Sequence, residues 1–180
     1  MKKLVIFLSA VMISSAAVNT SKTVEKYNGD TAAVNDVVIS GCPIVVVSQY
    51  SNYAWEPTNR GTFIDSEGYI YEFDLSKEGY EADLMSELYN IHQTKKGRYF
   101  GNTAELAQIR ALADGVSPDA EIKQEYQACD AGQKTLYAVT TDAELVEIRS
   151  SGDCAEENTD TNAKKIDKIC QGMGISVKMW

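Results

Sequence analysis

The sequence predicts an α+β fold: an antiparallel sheet of about six strands in two hairpin or meander blocks, packed against three helices. Three observations carry that prediction. Runs rich in β-branched and aromatic residues are joined by short turn clusters, which only antiparallel pairing allows. Two blocks of such runs are each followed by helical periodicity, so strands and helices are segregated along the chain. The helices, being amphipathic, must cover a sheet face, and one covered face is the simplest arrangement.

The first block opens with "IVVVSQYSNYAW", a long strand from about Ile44 to Trp55. "EPTNRG" is a turn cluster leading into "GTFIDSEGYIYEFD". That stretch is not a calcium loop, because Gly68 falls at the fourth position from Asp65 and Tyr, Ile and Tyr follow. It is a β-hairpin. Thr62 to Ile64 and Tyr69 to Phe73 are its strands, and "DSEG" is its turn, with Gly where a positive φ is wanted.

Residues 78 to 97 change period. Tyr80, Leu84, Leu88 and Ile91 recur at helical spacing, Lys95 and Lys96 suit a helix C-terminus, and Gly97 stops it. "NTAE" predicts a second helix with a capping box from Asn102 to Glu105. Its buried stripe is Leu106, Ile109 and Leu112 or Ala113, and it ends at Gly115. Residues 121 to 127 fit either a short helix or a strand, and the turn-prone "CDAG" after them favours strand. Strands at 134–140 and 144–149 turn near Asp142. A terminal helix follows, capped at Asn158 or Thr159, with Ala163, Ile166, Ile169 and Cys170 on one side.

Ahead of the domain, "MKKLVIFLSAVMISSAA" has a charged start, a short apolar run and small residues, as a signal peptide does. The expected organisation is a signal peptide over residues 1–17, a polar flexible leader over 18–36 and a single α+β domain over 37–180. The apolar run is short for a membrane span, and no Cys follows it to carry a lipid. The expected location is therefore extracellular, with no membrane anchor after cleavage. Loss of Lys2 and Lys3 leaves 15 basic against 26 acidic residues, a net charge of −11. Such a surface repels phosphate backbones, so nucleic acid is excluded as a partner.

Four cysteines in an exported chain suggest two disulfides. If the last three strands form a meander, Cys129 and Cys154 share one sheet edge and Cys170 ends at the other. The favoured pairs are then Cys129–Cys154 and Cys42–Cys170, with Cys154–Cys170, the nearest pair in sequence, as the rival. Zinc is excluded by the absence of CxxC spacing and the presence of one histidine. Asp153, Glu156, Glu157 and Asp160 lie close together but match no calcium loop. No metal or cofactor is expected.

"YSNYAW", "GTFIDSEGYIYEFD" and "SSGDCAEENTDTNAKKI" resemble segments of small, uncharacterised exported proteins of Gram-positive bacteria. That resemblance implies export and supports the strand readings, and it implies no activity.

No catalytic motif stands out. His92 has no acid at suitable spacing along the sequence, and its helix face also carries Met85 and Tyr89. The chain leans away from enzymes. The aromatic residues are the better signal: Tyr50, Tyr53, Trp55, Phe63, Tyr69, Tyr71 and Phe73 crowd the first block. Tyr69, Tyr71 and Phe73 alternate and so share a face, which is core or platform according to what covers it. Tyr53, Trp55, Tyr69 and Tyr71 are the candidate ligand-binding residues. The expected function is a secreted, non-catalytic binding or interaction module for a protein or carbohydrate. The alternatives are an inhibitor presenting an exposed loop at 56–60, or a small hydrolase using paired carboxylates.

Overall fold

The computed structural model describes residues 41–52, 54, 57–78, 83–126 and 132–175, all within the unit Asp36–Trp180. It is α+β, with three helices and one antiparallel sheet, but the sheet has eight strands. They are β1 (Ile44–Asn52), β2 (Thr58–Asp65), β3 (Tyr69–Asp74), β4 (Arg98–Tyr99), β5 (Ile122–Tyr126), β6 (Gln133–Val139), β7 (Leu145–Gly152) and β8 (Cys154–Asn158). The helices are α1 (Leu84–Thr94), α2 (Thr103–Ala113) and α3 (Thr161–Gly172). The strand order is β4-β3-β2-β1-β6-β7-β8-β5.

The two unforeseen strands have weak intrinsic signals. β4 is two residues long and pairs Tyr69 with Tyr99 at the sheet edge. β8 reads "CAEEN" and contains no β-branched or aromatic residue. It forms because it is paired on both sides, with β7 and with β5, so tertiary pairing overrides local propensity. β8 also corrects the expected meander. β5 pairs with β8 and not with β6, which puts β5 at the edge in a Greek-key order. The turn cluster before the hairpin shifts as well: Thr58 to Arg60 belong to β2, and Leu75 donates its N–H to the Asn59 carbonyl.

The helices divide between the two faces, against the expectation of one covered face. Pairing register and alternation send Val46, Ile64, Leu136 and Ala138 to one side. There they pack with Leu106, Ile109 and Ala113 of α2 and with Ala163, Ile166 and Cys170 of α3. Ile44, Val47, Phe63, Phe73 and Val139 face the other side and meet Met85, Leu88 and Ile91 of α1. Fully burying a residue such as Phe63 contributes about 2–3 kcal/mol, so each face has its own core. The bulge in the β1–β2 pair lets "IVVV" supply both sides, and the one in the β6–β7 pair lies beside Ile148, which joins the α2/α3-side core.

Caps fix the helix starts. Asp83 caps α1 by accepting from the Met85 N–H, so α1 begins later than its periodicity suggested. Asp160 caps α3, in place of Asn158 or Thr159, by accepting from the N–H groups of Asn162 and Ala163. Asn102 stands at the start of α2 in the left-handed region with no side-chain cap bond, so the expected capping box is not formed.

Cys42, Cys154 and Cys170 are free thiols. Cys42 belongs to the α1-side core and Cys170 to the α2/α3-side core, so the sheet separates them and the Cys42–Cys170 pairing fails. Cys154 is unbonded, so the expected bond from Cys129 is not formed; Cys129 itself lies outside the described residues.

Candidate functional site

The β2–β3 turn and the end of α1 meet around one buried carboxylate. Asp65 ends β2 and opens the turn, and it is 2% exposed. Its Oδ1 accepts from the backbone N–H groups of Glu67 (3.0 Å) and Tyr69 (2.8 Å), an Asx-type arrangement that fixes the turn. Gly68 takes the positive φ of +82° that the turn needs, and its carbonyl accepts from the N–H groups of Phe100 and Gly101. Asp65 Oδ2 accepts from the Tyr71 hydroxyl at 3.1 Å and lies 3.2 Å from His92 Nε2.

Each carboxylate oxygen has about two acceptor positions, so four donors saturate Asp65. An Nε2 facing that carboxylate is the donating nitrogen. Nδ1 is buried and has no hydrogen-bond partner. The Tyr71 ring completes the group: it stacks on Phe63 at 4.7 Å and tilts against His92 at 5.2 Å. Burial, then the Asp65 charge, pushes the Tyr71 phenol up to about 12.

This group forms the back of a pocket of about 560 Å³, within the range of small-molecule sites. Tyr69 and Tyr71 line it from β3, Asp65, Ser66 and Glu67 from the turn, and residues His92 to Gly97 from the end of α1. Tyr69 also meets Tyr99 edge-on at 5.4 Å.

Of the residues singled out from sequence, Tyr69 and Tyr71 come together here. The aromatic row on β3 is graded: Phe73 is buried beneath α1, whereas Tyr71 and Tyr69 are half-buried and reach the pocket. Tyr50 lies apart on β1, with the Arg60 guanidinium 5.8 Å from its ring centre. Tyr53 and Trp55 lie outside the described residues. The Asp65–His92 contact is the part that sequence reasoning missed. The two are 27 positions apart, and α1 packing across the hairpin brings them together.

A second polar group crosses the sheet on the α1 side, where the register aligns Gln49, Thr135, Ser150, Glu156 and Gln124 on five strands. Gln133 donates to the Ser150 hydroxyl, Ser150 donates to Glu156 Oε2, and Gln124 donates to Glu156 Oε1. Glu147 joins this group from β7. Burial, then the nearby Glu156 carboxylate, pushes its carboxyl up to about 7. The acidic stretch weighed against calcium is dispersed: Glu156 and Glu157 alternate across β8, and Asp160 caps α3. Among the described residues no set of three or more His, Cys, Asp or Glu is placed to hold a metal, and no helix is long and apolar enough to cross a membrane.

No family model, curated protein or solved structure matches the chain.

Proposed function

We propose that this protein is a non-catalytic binding module, exported from the cell, that holds a carbohydrate in the pocket between the β2–β3 turn and the end of α1. The observation that carries the reading is the state of the two groups that could do chemistry there. Asp65 has spent all its acceptor positions, and His92 directs Nε2 at Asp65 while Nδ1 is sealed from solvent. A general base must present a free nitrogen or oxygen to the substrate. Here both groups brace the wall together with Tyr71, whose ring is taken up by Phe63, His92 and Gly97, and the Tyr69 ring supplies the surface on which a sugar ring can pack.

A concave site also favours a small ligand over a flat protein interface. Among the described residues the exposed large apolar side chains are Tyr99 and Ile122, on the two opposite edge strands. Seven strand spacings separate them, roughly 33 Å, so they form no common patch. The inhibitor reading loses its free loop, because Thr58 to Arg60 are paired strand residues. Glu147 and Glu156, the carboxyl groups that meet between β7 and β8, interact directly, which does not suit a pair flanking a sugar bond.

The test is a backbone amide titration by NMR with a panel of neutral mono- and disaccharides. The reading predicts shifts confined to residues 65–71 and 92–97, abolished by Tyr69→Ala. Shifts that map elsewhere on the sheet, or none with any sugar, contradict it.

A further inference from the structure

The two ends of the sheet differ in what they leave open. β4, at one edge, is two residues long, too short to template another strand. β5, at the other edge, is five residues long, reads "IKQEY" and contains no proline. Its inner side pairs with β8 without a bulge, and among the described residues no strand pairs with its outer side. The side chains from Ile122 to Glu125 are all exposed, Ile122 at 41%. An edge that is unbulged and uncovered is a ready template for a further strand.

The inner ladder shows which backbone groups are on offer. The Thr159 N–H donates to the carbonyl of Glu121, its opposite number in the β5–β8 register, at 3.0 Å. In an antiparallel pair, alternate residues of a strand bond to the same neighbour. Lys123 and Glu125 therefore turn their N–H and C=O groups to β8, and Ile122, Gln124 and Tyr126 turn theirs outward.

The order of charges selects the incoming strand. Antiparallel pairing of β5 with a second copy of itself, about a two-fold axis at Gln124, sets position 122 against 126, 123 against 125 and 124 against itself. Every outward N–H and C=O then has a partner. Lys123 of each copy comes opposite Glu125 of the other, on one face, at the non-hydrogen-bonded positions where side chains approach most closely. An axis at Lys123 or at Glu125 would instead set a like charge against itself. Charges that blunt this edge against an uncharged strand are thus complementary against its own copy, in one register only.

We infer that β5 is a self-recognition edge, through which two copies of this chain pair antiparallel about Gln124 and join their sheets into one. The contact is isologous, as a two-fold dimer requires. The formal net charge of −9 opposes the encounter, but at 0.15 M salt it is screened beyond about 8 Å, and the Lys123–Glu125 contacts act within that range. The saccharide pocket lies by β3, at the other end of the strand order, so pairing through β5 leaves it open.

The experiment is sedimentation equilibrium of the full chain at 0.15 M salt over a concentration series, with amide hydrogen exchange at its two ends. Lys123→Glu, Glu125→Lys, the double swap and an equimolar mixture of the two single variants are run beside the parent. The parent should double in mass as concentration rises. The Gln124 amide should slow in exchange as it does so, whereas the Lys123 amide, held by β8, should be slow throughout. Each single variant turns both cross-axis pairs of the dimer from attraction to repulsion, which should raise the dissociation constant by about tenfold. The double swap and the mixture both restore opposite charges across the axis, so both should dimerise as the parent does. A parent that is monomeric at every concentration overturns the inference, as does a Gln124 amide already protected in the dilute monomer. A dimer indifferent to the single variants, or single variants whose mixture stays monomeric, overturns the assignment to this edge and register.

Discussion

Replacing Asp65 by Asn removes one charge and changes little volume, so its consequences can be followed donor by donor. The Asn carbonyl still accepts from the N–H groups of Glu67 and Tyr69, as Oδ1 does now. The amide nitrogen then stands where Oδ2 accepted from Tyr71 and His92. The Tyr71 hydroxyl can rotate and accept. His92 can accept at Nε2 only by moving its proton to Nδ1, which is buried without a partner. The variant therefore loses a charge-assisted hydrogen bond and gains an unsatisfied buried donor, together about 3 kcal/mol. For a folded unit spanning Asp36–Trp180 that corresponds to a fall in Tm of about 10 °C. The assay is thermal denaturation followed by circular dichroism at neutral pH, with His92→Ala and the double variant completing a cycle. The cycle should return a coupling energy of at least about 1 kcal/mol between the two positions. A Tm within about 2 °C of the parent, or additive single effects, would refute the brace.

Three further outcomes follow from the buried titrating groups. Tyr71 keeps its proton to about pH 12, against 10 for the model phenol, so from 10 to 12 the folded state holds a proton that the unfolded chain has lost. Stability should fall with rising pH across that window, and Tyr71→Phe should flatten the fall in alkaline denaturation curves. Glu147 is raised from 4.5 to about 7, so its carboxyl costs stability as pH rises from 4.5 through 7. Glu147→Gln should therefore be more stable than the parent above pH 7, by about 1 kcal/mol once solvent screening is discounted, with the two converging at pH 4. Burial, then the Asp167 charge, pushes the Cys170 thiol up to about 12. In the native protein at pH 8, iodoacetamide followed by mass mapping should leave Cys170 unmodified, whereas prior denaturation should expose it to full alkylation.

The parts of the fold that were legible in the sequence are those where local chemistry and tertiary context agree. "DSEG" demanded a turn with a positive φ, and Gly68 provides it. Leu88 and Ile91 marked the buried stripe of α1, and Leu106 and Ile109 that of α2, because helical spacing and burial coincide there. β8 was not legible, since its Ala, Glu and Asn residues carry no strand preference and only its two neighbours make it a strand. The misplaced β5 follows from β8: without an intervening strand, 121–127 had no partner but β6. Periodicity identified amphipathic helices but could not say which face each would cover. The division of α1 from α2 and α3 therefore depended on bulges that make both sides of "IVVV" apolar sockets. The candidate site was half visible. Tyr69 and Tyr71 were marked by alternation within six residues of Asp65, whereas His92 reaches the same carboxylate only through the packing of α1 on the hairpin.

The most direct test of the central claim is the amide titration with saccharides, read at the residues flanking the Asp65 brace. Binding at the pocket predicts saturable shifts at Glu67, Tyr69, Gln93 and Lys95, with an unchanged Asp65–His92 contact and loss of all four shifts in Tyr69→Ala. Saturable shifts centred instead on Ser150, Glu156 and Gln124, or unaltered binding by Tyr69→Ala, would contradict it.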